Sequence, residues 1–278
     1  MKNLSGTVSV VTGAGSGIGR ATALALAAQG SVVAVCDLDE GKAKETAEAI
    51  AAVGGRTSVH QVDVAAEDRM RALVDEVLGE HGAVDVVVNN AGIVPPPTRA
   101  TDIDLDTFRR VMDVNFWGMV YGSLLFLPHL QTRPEANLVN VASNAGIVGY
   151  TRLATYSASK FAIRGFTESL RMEMRKGPVK LTVVCPGATR TSIMANSPVM
   201  TDAQRQQMQR SLDKSFGRPA AVVGAAIVKA VLKDKPRCLV GPDTVLLDVL
   251  ARLLPGGHSR LLGPGTDLAL NQILGAKG

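Results

Sequence analysis

The chain's residue pattern predicts an α/β fold: a doubly wound parallel sheet of about seven strands with helices on both faces. Three observations predict it. Short β-branched runs alternate with longer helical patterns along the chain. Several of those runs are apolar almost throughout, as strands buried on both faces should be. No linker or shift in composition interrupts the alternation before about residue 240. Strand, helix, strand, repeated with right-handed crossovers, builds a parallel sheet covered on both sides.

The elements come in this order. "TVSVVT", Thr7–Thr12, is the first strand, and "IGRATALALAAQG" is an Ala/Leu-rich helix stopped by Gly30. "SVVAVCD", Ser31–Asp37, is the second strand; the polar-faced helix "EGKAKETAEAIAAVGG" closes on Gly54 and Gly55. "RTSVHQVDV" is a third strand, with a helix near Glu67–His81 behind it. "VDVVVNN", Val84–Asn90, is a fourth. No helix can cross "AGIVPPP", and a long helical stretch then covers about Leu105–Leu130. "ANLVNVAS" is a fifth strand, a helix runs from "YSASK" to about Lys176, and "VKLTVVCPG" is a sixth strand ended by Pro186-Gly187. One domain over 1–278 is expected, with 192–216 as a substrate loop and 241–278 as a divergent C-terminal extension.

Composition narrows the function. Nearly half of the 278 residues are hydrophobic and a fifth are charged, which suits a globular core. The net charge of +5 is dispersed with no basic run, so no nucleic-acid partner is indicated. Cys36, Cys185 and Cys238 are odd in number and lack C-x-x-C spacing, which suggests buried thiols in a reducing compartment. His60, His81, His129 and His258 lie far apart in sequence, so no metal site is expected. "MKNLSGTVSVVTGAG" runs straight into a strand, and no stretch of 18 apolar residues occurs. The expectation is a cytoplasmic protein without a membrane span.

Between the first strand and helix stands "TGAGSGIG", with Gly13, Gly15, Gly17 and Gly19. Glycines there let a pyrophosphate approach backbone N–H groups at the positive end of a helix. The spacing is G-x-x-x-G-x-G with Gly15 extra; a tight structural turn is the alternative, and the place between a strand and a helix is the context that phosphate binding requires. Asp37 ends the second strand, where an acid can accept hydrogen bonds from both hydroxyls of an adenosine ribose and repel a 2′-phosphate. No Lys or Arg lies at Ser16, Leu38 or Asp39, so NAD is favoured over NADP.

"YSASK", Tyr156–Lys160, sets a phenol and an ammonium on one helix face. A free phenol ionises near pH 10, and a neighbouring cation favours the phenolate, which can exchange a proton with an alcohol. Taken with "TGAGSGIG", "NNAG" (Asn89–Gly92), Asn115, Ser143 and "PGATRT" (Pro186–Thr191), the chain resembles the short-chain dehydrogenase/reductase family over roughly residues 5–195. Ser143 precedes Tyr156 by thirteen residues, the family's usual interval. The resemblance implies a Rossmann fold and a catalytic set of Asn115, Ser143, Tyr156 and Lys160. In that set Tyr156 is the general acid/base, Lys160 binds the nicotinamide ribose and favours tyrosinate, Ser143 holds the substrate oxygen, and Asn115 anchors a water linking Lys160 to solvent. It implies cofactor contacts from Gly13, Ser16, Gly17, Ile18 and Gly19. Asp37 meets the ribose, Asp63 and Val64 meet the adenine, and Asn90, Ala91 and Gly92 border the adenosine end. Pro186, Gly187, Thr189 and Thr191 lie near the nicotinamide.

The expected activity is NAD-dependent interconversion of a secondary, lipophilic alcohol and its ketone. The alternatives are an NADP-dependent carbonyl reductase of the same mechanism and a non-catalytic NAD-binding sensor or scaffold. Ile193, Met194, Val199 and Met200 are candidates to line an apolar pocket; "TDAQRQQMQR" reads equally as a plain amphipathic helix. The extension departs from the family in being long and Leu-rich. A helix carrying Val245, Leu246, Leu247, Val249, Leu250, Leu253 and Leu254 is expected to pack on the core or another subunit, to cover a lipophilic substrate, or to touch a membrane surface. A homodimer through about 105–130 and 155–176, or a homotetramer, is implied.

Overall fold

The computed structural model describes residues 1–191, 193, 197, 199–206, 217–263 and 265. Expectations that fall on Ser192, Met194, most of the run to Phe216 and the last residues lie outside the described residues.

Seven parallel strands form one sheet: β1 (Val8–Thr12), β2 (Val32–Asp37), β3 (Thr57–Gln61), β4 (Val86–Asn89), β5 (Ala136–Val141), β6 (Val179–Pro186) and, later in the chain, β9 (Arg237–Val240). Their order is β3-β2-β1-β4-β5-β6-β9. The chain thus winds outward from β1 in one direction and from β4 in the other. The crevice at the carboxyl ends of β1 and β4 is where such sheets bind ligands. A separate pair, β7 (Thr189–Arg190) and β8 (Arg218–Pro219), lies beyond β6.

The period-2 geometry of the strands divides the core. Val10, Ala34, Val87 and Leu138 face α3 (Glu67–His81), α5 (Gly118–Gln131) and α6 (Ala154–Glu173), which supply Leu73, Val77, Phe126 and Leu170. Val11, Val35, Val88 and Val139 face α1 (Gly17–Ala27), α2 (Glu40–Ala51) and α7 (Ala220–Leu232), which supply Leu26, Ile50 and Ile227. Each fully buried Val or Leu side chain contributes roughly 1.5–3 kcal/mol of hydrophobic stabilisation.

Two elements carry detail that the sequence did not give. The helical stretch expected at 105–130 is present, and a π-helical turn, Asp113–Trp117, divides it into α4 (Leu105–Met112) and α5. A π-turn inserts an extra residue into the helical ladder and rotates the helix beyond it. Here its central residue, Asn115, is completely buried. The Leu-rich helix is α8 (Pro242–Leu253), and its apolar positions are not chiefly its buried ones. Thr244 and Asp248 are buried against the body, whereas Val245, Leu246, Val249 and Leu253 stand in solvent. The cause is charge: Asp248 pairs with the largely buried Arg237 of β9 at 2.6 Å and with Arg252 at 3.0 Å, so the polar face must turn inward.

Candidate active site

The site is assembled where β1, β2, β4 and β5 end. β1 runs into Gly13, whose φ of +63° favours glycine, and a Cβ there would come within 2.9 Å of the Ala91 backbone. The turn is thereby pressed against the segment after β4. Thr12 fixes the contact, its hydroxyl oxygen accepting from the N–H groups of Asn90 (3.0 Å) and Ala91 (3.1 Å). The Asn90 side chain returns a bond to the Thr12 carbonyl at 2.9 Å. Gly15, superfluous by spacing, has a steric role: a Cβ there would meet Lys42 and the Asp37 carboxylate at 2.8 and 2.9 Å. Its N–H donates to Asp37 Oδ2 at 2.8 Å, and the Asp39 N–H donates to Oδ1 at 3.0 Å. Asp37 is thus a fixed acceptor beside the glycine turn. The first turn of α1 carries no acidic side chain to offset its positive end. This donor-rich turn, next to a pinned carboxylate, fits a dinucleotide.

Asp63 accepts from the Ala65 N–H at 3.0 Å and pairs with Arg110 at 3.2 Å. Val64 is buried and packs where α5 begins, at Gly118. On the far side, a Cβ on Gly17 would touch Thr191 at 3.2 Å, so the "PGATRT" segment closes over the glycine turn. Ile18 packs onto the core beneath it, and Gly19 is held against the Gly13 carbonyl. Thr189 donates to the Gly187 carbonyl at 2.8 Å, in the loop after Pro186.

The segment after β4 continues to the proton-transfer groups. A Cβ on Gly92 would sit 3.2 Å from Asn115 Oδ1 and 3.4 Å from Lys160 Nζ, so these three residues converge. Asn115 holds both sides of Ile93, accepting from its N–H at 2.7 Å and donating to its carbonyl at 3.0 Å, and also donates to Ser159 Oγ at 3.0 Å. The Asn115 amide is therefore a clamp on the backbone. Lys160 is buried, donates to the Val141 carbonyl at 3.1 Å, and lies 5.6 Å from the centre of the Tyr156 ring. Ser143 comes after β5 and caps a short 3-10 turn, Asn144–Gly146; its oxygen accepts from the Ala145 N–H at 3.1 Å and its hydroxyl donates to Asn144 Oδ1 at 3.0 Å.

Burial dominates the electrostatics of the nucleotide-free site. Burial pushes the Tyr156 phenol above its ordinary range, opposed by a hydrogen bond with Ser143. Burial also drives the Lys160 ammonium down to about 8. In the protein alone both groups sit where charge is costly. Tyr150, which no sequence pattern singled out, lies near enough to feel its neighbours: burial, then Asp243 and Tyr156, raise its phenol to about 12.

Two further contacts were invisible in sequence. Asp243, in the first turn of α8, pairs with Arg218 at 2.6 Å and accepts from the Ala188 N–H at 3.2 Å. The C-terminal extension therefore braces the Pro186–Thr191 loop. Ser197, fully buried, donates to the Val94 carbonyl at 2.6 Å, while Arg205 donates to the Ser197 carbonyl at 2.8 Å. These bonds tie Ser197 and Arg205 to the backbone at Val94, next to which Val94, Met200, Leu153 and Ile193 form an apolar cluster with the Tyr156 ring. Val199 turns away to the main core.

A nucleotide-type crevice joined to a serine, a tyrosine and a buried lysine is the arrangement of an oxidoreductase. The short chain dehydrogenase family model matches residues 7–201, and the chain belongs to that family. It is 36% identical over 271 residues to a Mycobacterium tuberculosis protein named oxidoreductase SadH, covering 95% of this chain and 97% of that one. It is 35% identical over 221 residues to the cis-4-hydroxycyclohexanecarboxylate dehydrogenase of Sinomonas cyclohexanicum, covering 78% and 86%. A Burkholderia phymatum short-chain dehydrogenase/reductase, solved in complex with NAD, superposes with a TM-score of 0.84 at 28% identity, covering 91% of this chain and 95% of that one.

Proposed function

We propose that the protein is an NAD-dependent dehydrogenase/reductase that interconverts a lipophilic secondary alcohol and its ketone. The observation that carries this reading is the convergence of Ser143, Tyr156 and Lys160 at the mouth of a crevice whose other end holds Asp37. A nicotinamide held there would supply the hydride acceptor for alcohol oxidation and the hydride donor for ketone reduction. Gly13, Ser16, Gly17, Ile18 and Gly19 carry the pyrophosphate, Asp37 the adenosine ribose, and Asp63, Val64, Asn90, Ala91 and Gly92 the adenine side. Pro186, Gly187, Thr189 and Thr191 lie along the nicotinamide side.

In alcohol oxidation Tyr156 takes the hydroxyl proton at its phenolic oxygen as the C–H bond breaks; in reduction it gives that proton back. Ser143 orients the substrate oxygen. Lys160 holds the ribose and lowers the cost of the phenolate, and Asn115 fixes the backbone beside it. The apolar wall of Val94, Leu153, Ile193 and Met200 supports an uncharged ring or chain as substrate, and the relative that oxidises a hydroxycyclohexane acid supports an alicyclic secondary alcohol. The buried cysteines fit a reducing compartment such as the cytoplasm.

Lys42 favours one rival. It lies beside Gly15 and Asp37 and pairs with Asp39 at 3.2 Å, so a cation stands near the ribose end. Comparing NADH with NADPH decides between them: tighter NADH binding that is lost in Asp37→Ala supports NAD, and a preference for NADPH overturns it. With cyclohexanol as probe, Tyr156→Phe is expected to lower kcat/KM by about a thousandfold while leaving NADH binding nearly intact. Retention of most of the activity would refute the role of Tyr156. Undiminished nucleotide binding with no turnover of any alcohol or ketone by the wild type would point to a sensor.

A further inference from the structure

His60 and His81, distant in sequence, meet at the edge of the sheet. β3 is the edge strand, and its period-2 geometry puts Ser58 and His60 on the same face. Opposite lies the end of α3, where Glu76 and Glu80 are one turn apart and His81 comes next. Ser58 Oγ lies 2.8 Å from His60 Nε2 and 2.8 Å from His81 Nε2. His60 Nδ1 lies 3.1 Å from a Glu76 oxygen, and Glu76 is itself held by Arg69 at 3.1 Å. Glu80 approaches His81 Nε2 at 4.0 Å.

Hydrogen-bond logic orients the rings. A carboxylate only accepts, so the proton of a neutral His60 is on Nδ1, facing Glu76, and its Nε2 presents a lone pair. The single Ser58 proton serves that lone pair, and His81 Nε2–H in turn donates to Ser58 Oγ. His60 is thereby held in the tautomer of a metal-ligating imidazole, with a carboxylate behind it as such ligands commonly have. One atom each from His60, His81 and Glu80 lies within 4.8 Å of the others. In a tetrahedral zinc site with bonds of about 2.1 Å, ligand atoms are about 3.4 Å apart. To bind an ion there, both imidazoles must give up their bonds to Ser58 Oγ, His81 must move its proton to Nδ1, and the exposed Glu80 side chain must close in from 4.0 Å.

We propose that His60, His81 and Glu80 form a binding site for a borderline-soft divalent cation of the zinc type, with Glu76 as the carboxylate that orients His60. Two imidazoles and a carboxylate suit zinc, cobalt or nickel over magnesium or calcium. The exposed Glu80 leaves an entry path and a fourth position for water. An ion there staples the edge strand to the end of α3, four strands along the sheet from β5, which leads into Ser143.

The test uses the full chain without a histidine tag, dialysed against zinc and then assayed for metal, with cobalt(II) as an optical probe. Wild type is expected to retain one zinc per chain and to give the visible absorption of four-coordinate cobalt. His81→Ala and Glu80→Gln should weaken binding at least tenfold, and His258→Ala should change nothing. Zinc should raise the melting temperature of wild type but not of His81→Ala. Should His81→Ala fail to fold, the exposed Glu80→Gln still decides. No retained metal in wild type, or equal retention in both site variants, overturns the proposal and leaves the cluster a hydrogen-bond network.

Discussion

Lys160 is an ammonium folded into a place that disfavours ammonium. Its ordinary value of 10.5 falls to about 8 in the folded chain, chiefly through burial. Between those two pH values the unfolded chain binds more protons than the folded one, so stability contributed at this residue rises with pH. The penalty is fully felt below pH 8 and amounts to roughly 3 kcal/mol. Replacement by methionine should therefore stabilise the nucleotide-free protein at pH 7, and that advantage should shrink as pH rises to 9.5. Above pH 10 the raised Tyr156 phenol acts with the opposite sign, because the unfolded phenol ionises first. Denaturant melts of wild type and Lys160→Met from pH 7 to 9.5 measure this; a pH-independent difference would refute it. The identity of these residues was legible from YSASK and its spacing to Ser143. Their ionisation balance was not, because it depends on how much water the fold removes from around them.

At the level of elements, strands were the most legible feature, since runs such as Val86–Asn89 carry no polar alternation and can only be doubly covered. The π-helical turn at Asp113–Trp117 was hidden: no Gly or Pro lies within it, and the partners that hold its buried Asn115, Ile93 and Ser159, are remote in sequence. The same holds for the tie between α8 and the loop after β6. Asp243→Ala leaves Arg218 without its carboxylate and the Ala188 N–H without its acceptor. The expected result is a KM for NAD raised about tenfold, with kcat changed less, since a hydrogen bond to a charged group contributes about 1.5–3 kcal/mol. An unchanged KM in steady-state kinetics would show that α8 does not position that loop.

At the scale of the whole molecule, two uncovered apolar faces stand out. One comprises the exposed Leu105, Trp117 and Leu124 of the α4–α5 region and Phe161 and Met172 of α6; the other is the outer side of α8, with Val245, Leu246, Val249 and Leu253. We propose, following what the resemblance implies, a homodimer through the first face or a homotetramer. Light scattering at micromolar concentration should give a dimer or tetramer for wild type, and Leu124→Glu should yield a smaller species. If assembly is tetrameric, Val249→Glu should stop it at the dimer. A monomeric wild type would leave both faces without that role. Such faces were readable as apolar composition, but the outward aim of the α8 face comes from the Arg237–Asp248 pair, which no local pattern announces. The few residues from Asn90 to Val94 have a wider significance. Thr12 grips their beginning, Asn115 their middle and Ser197 their end. On the function proposed above, nucleotide crevice and alcohol pocket share one stretch of backbone, like two rooms hung on a common beam. Loosening any of its three fastenings disturbs both sides, so mutations chosen to retune substrate preference here will carry nucleotide affinity along with them.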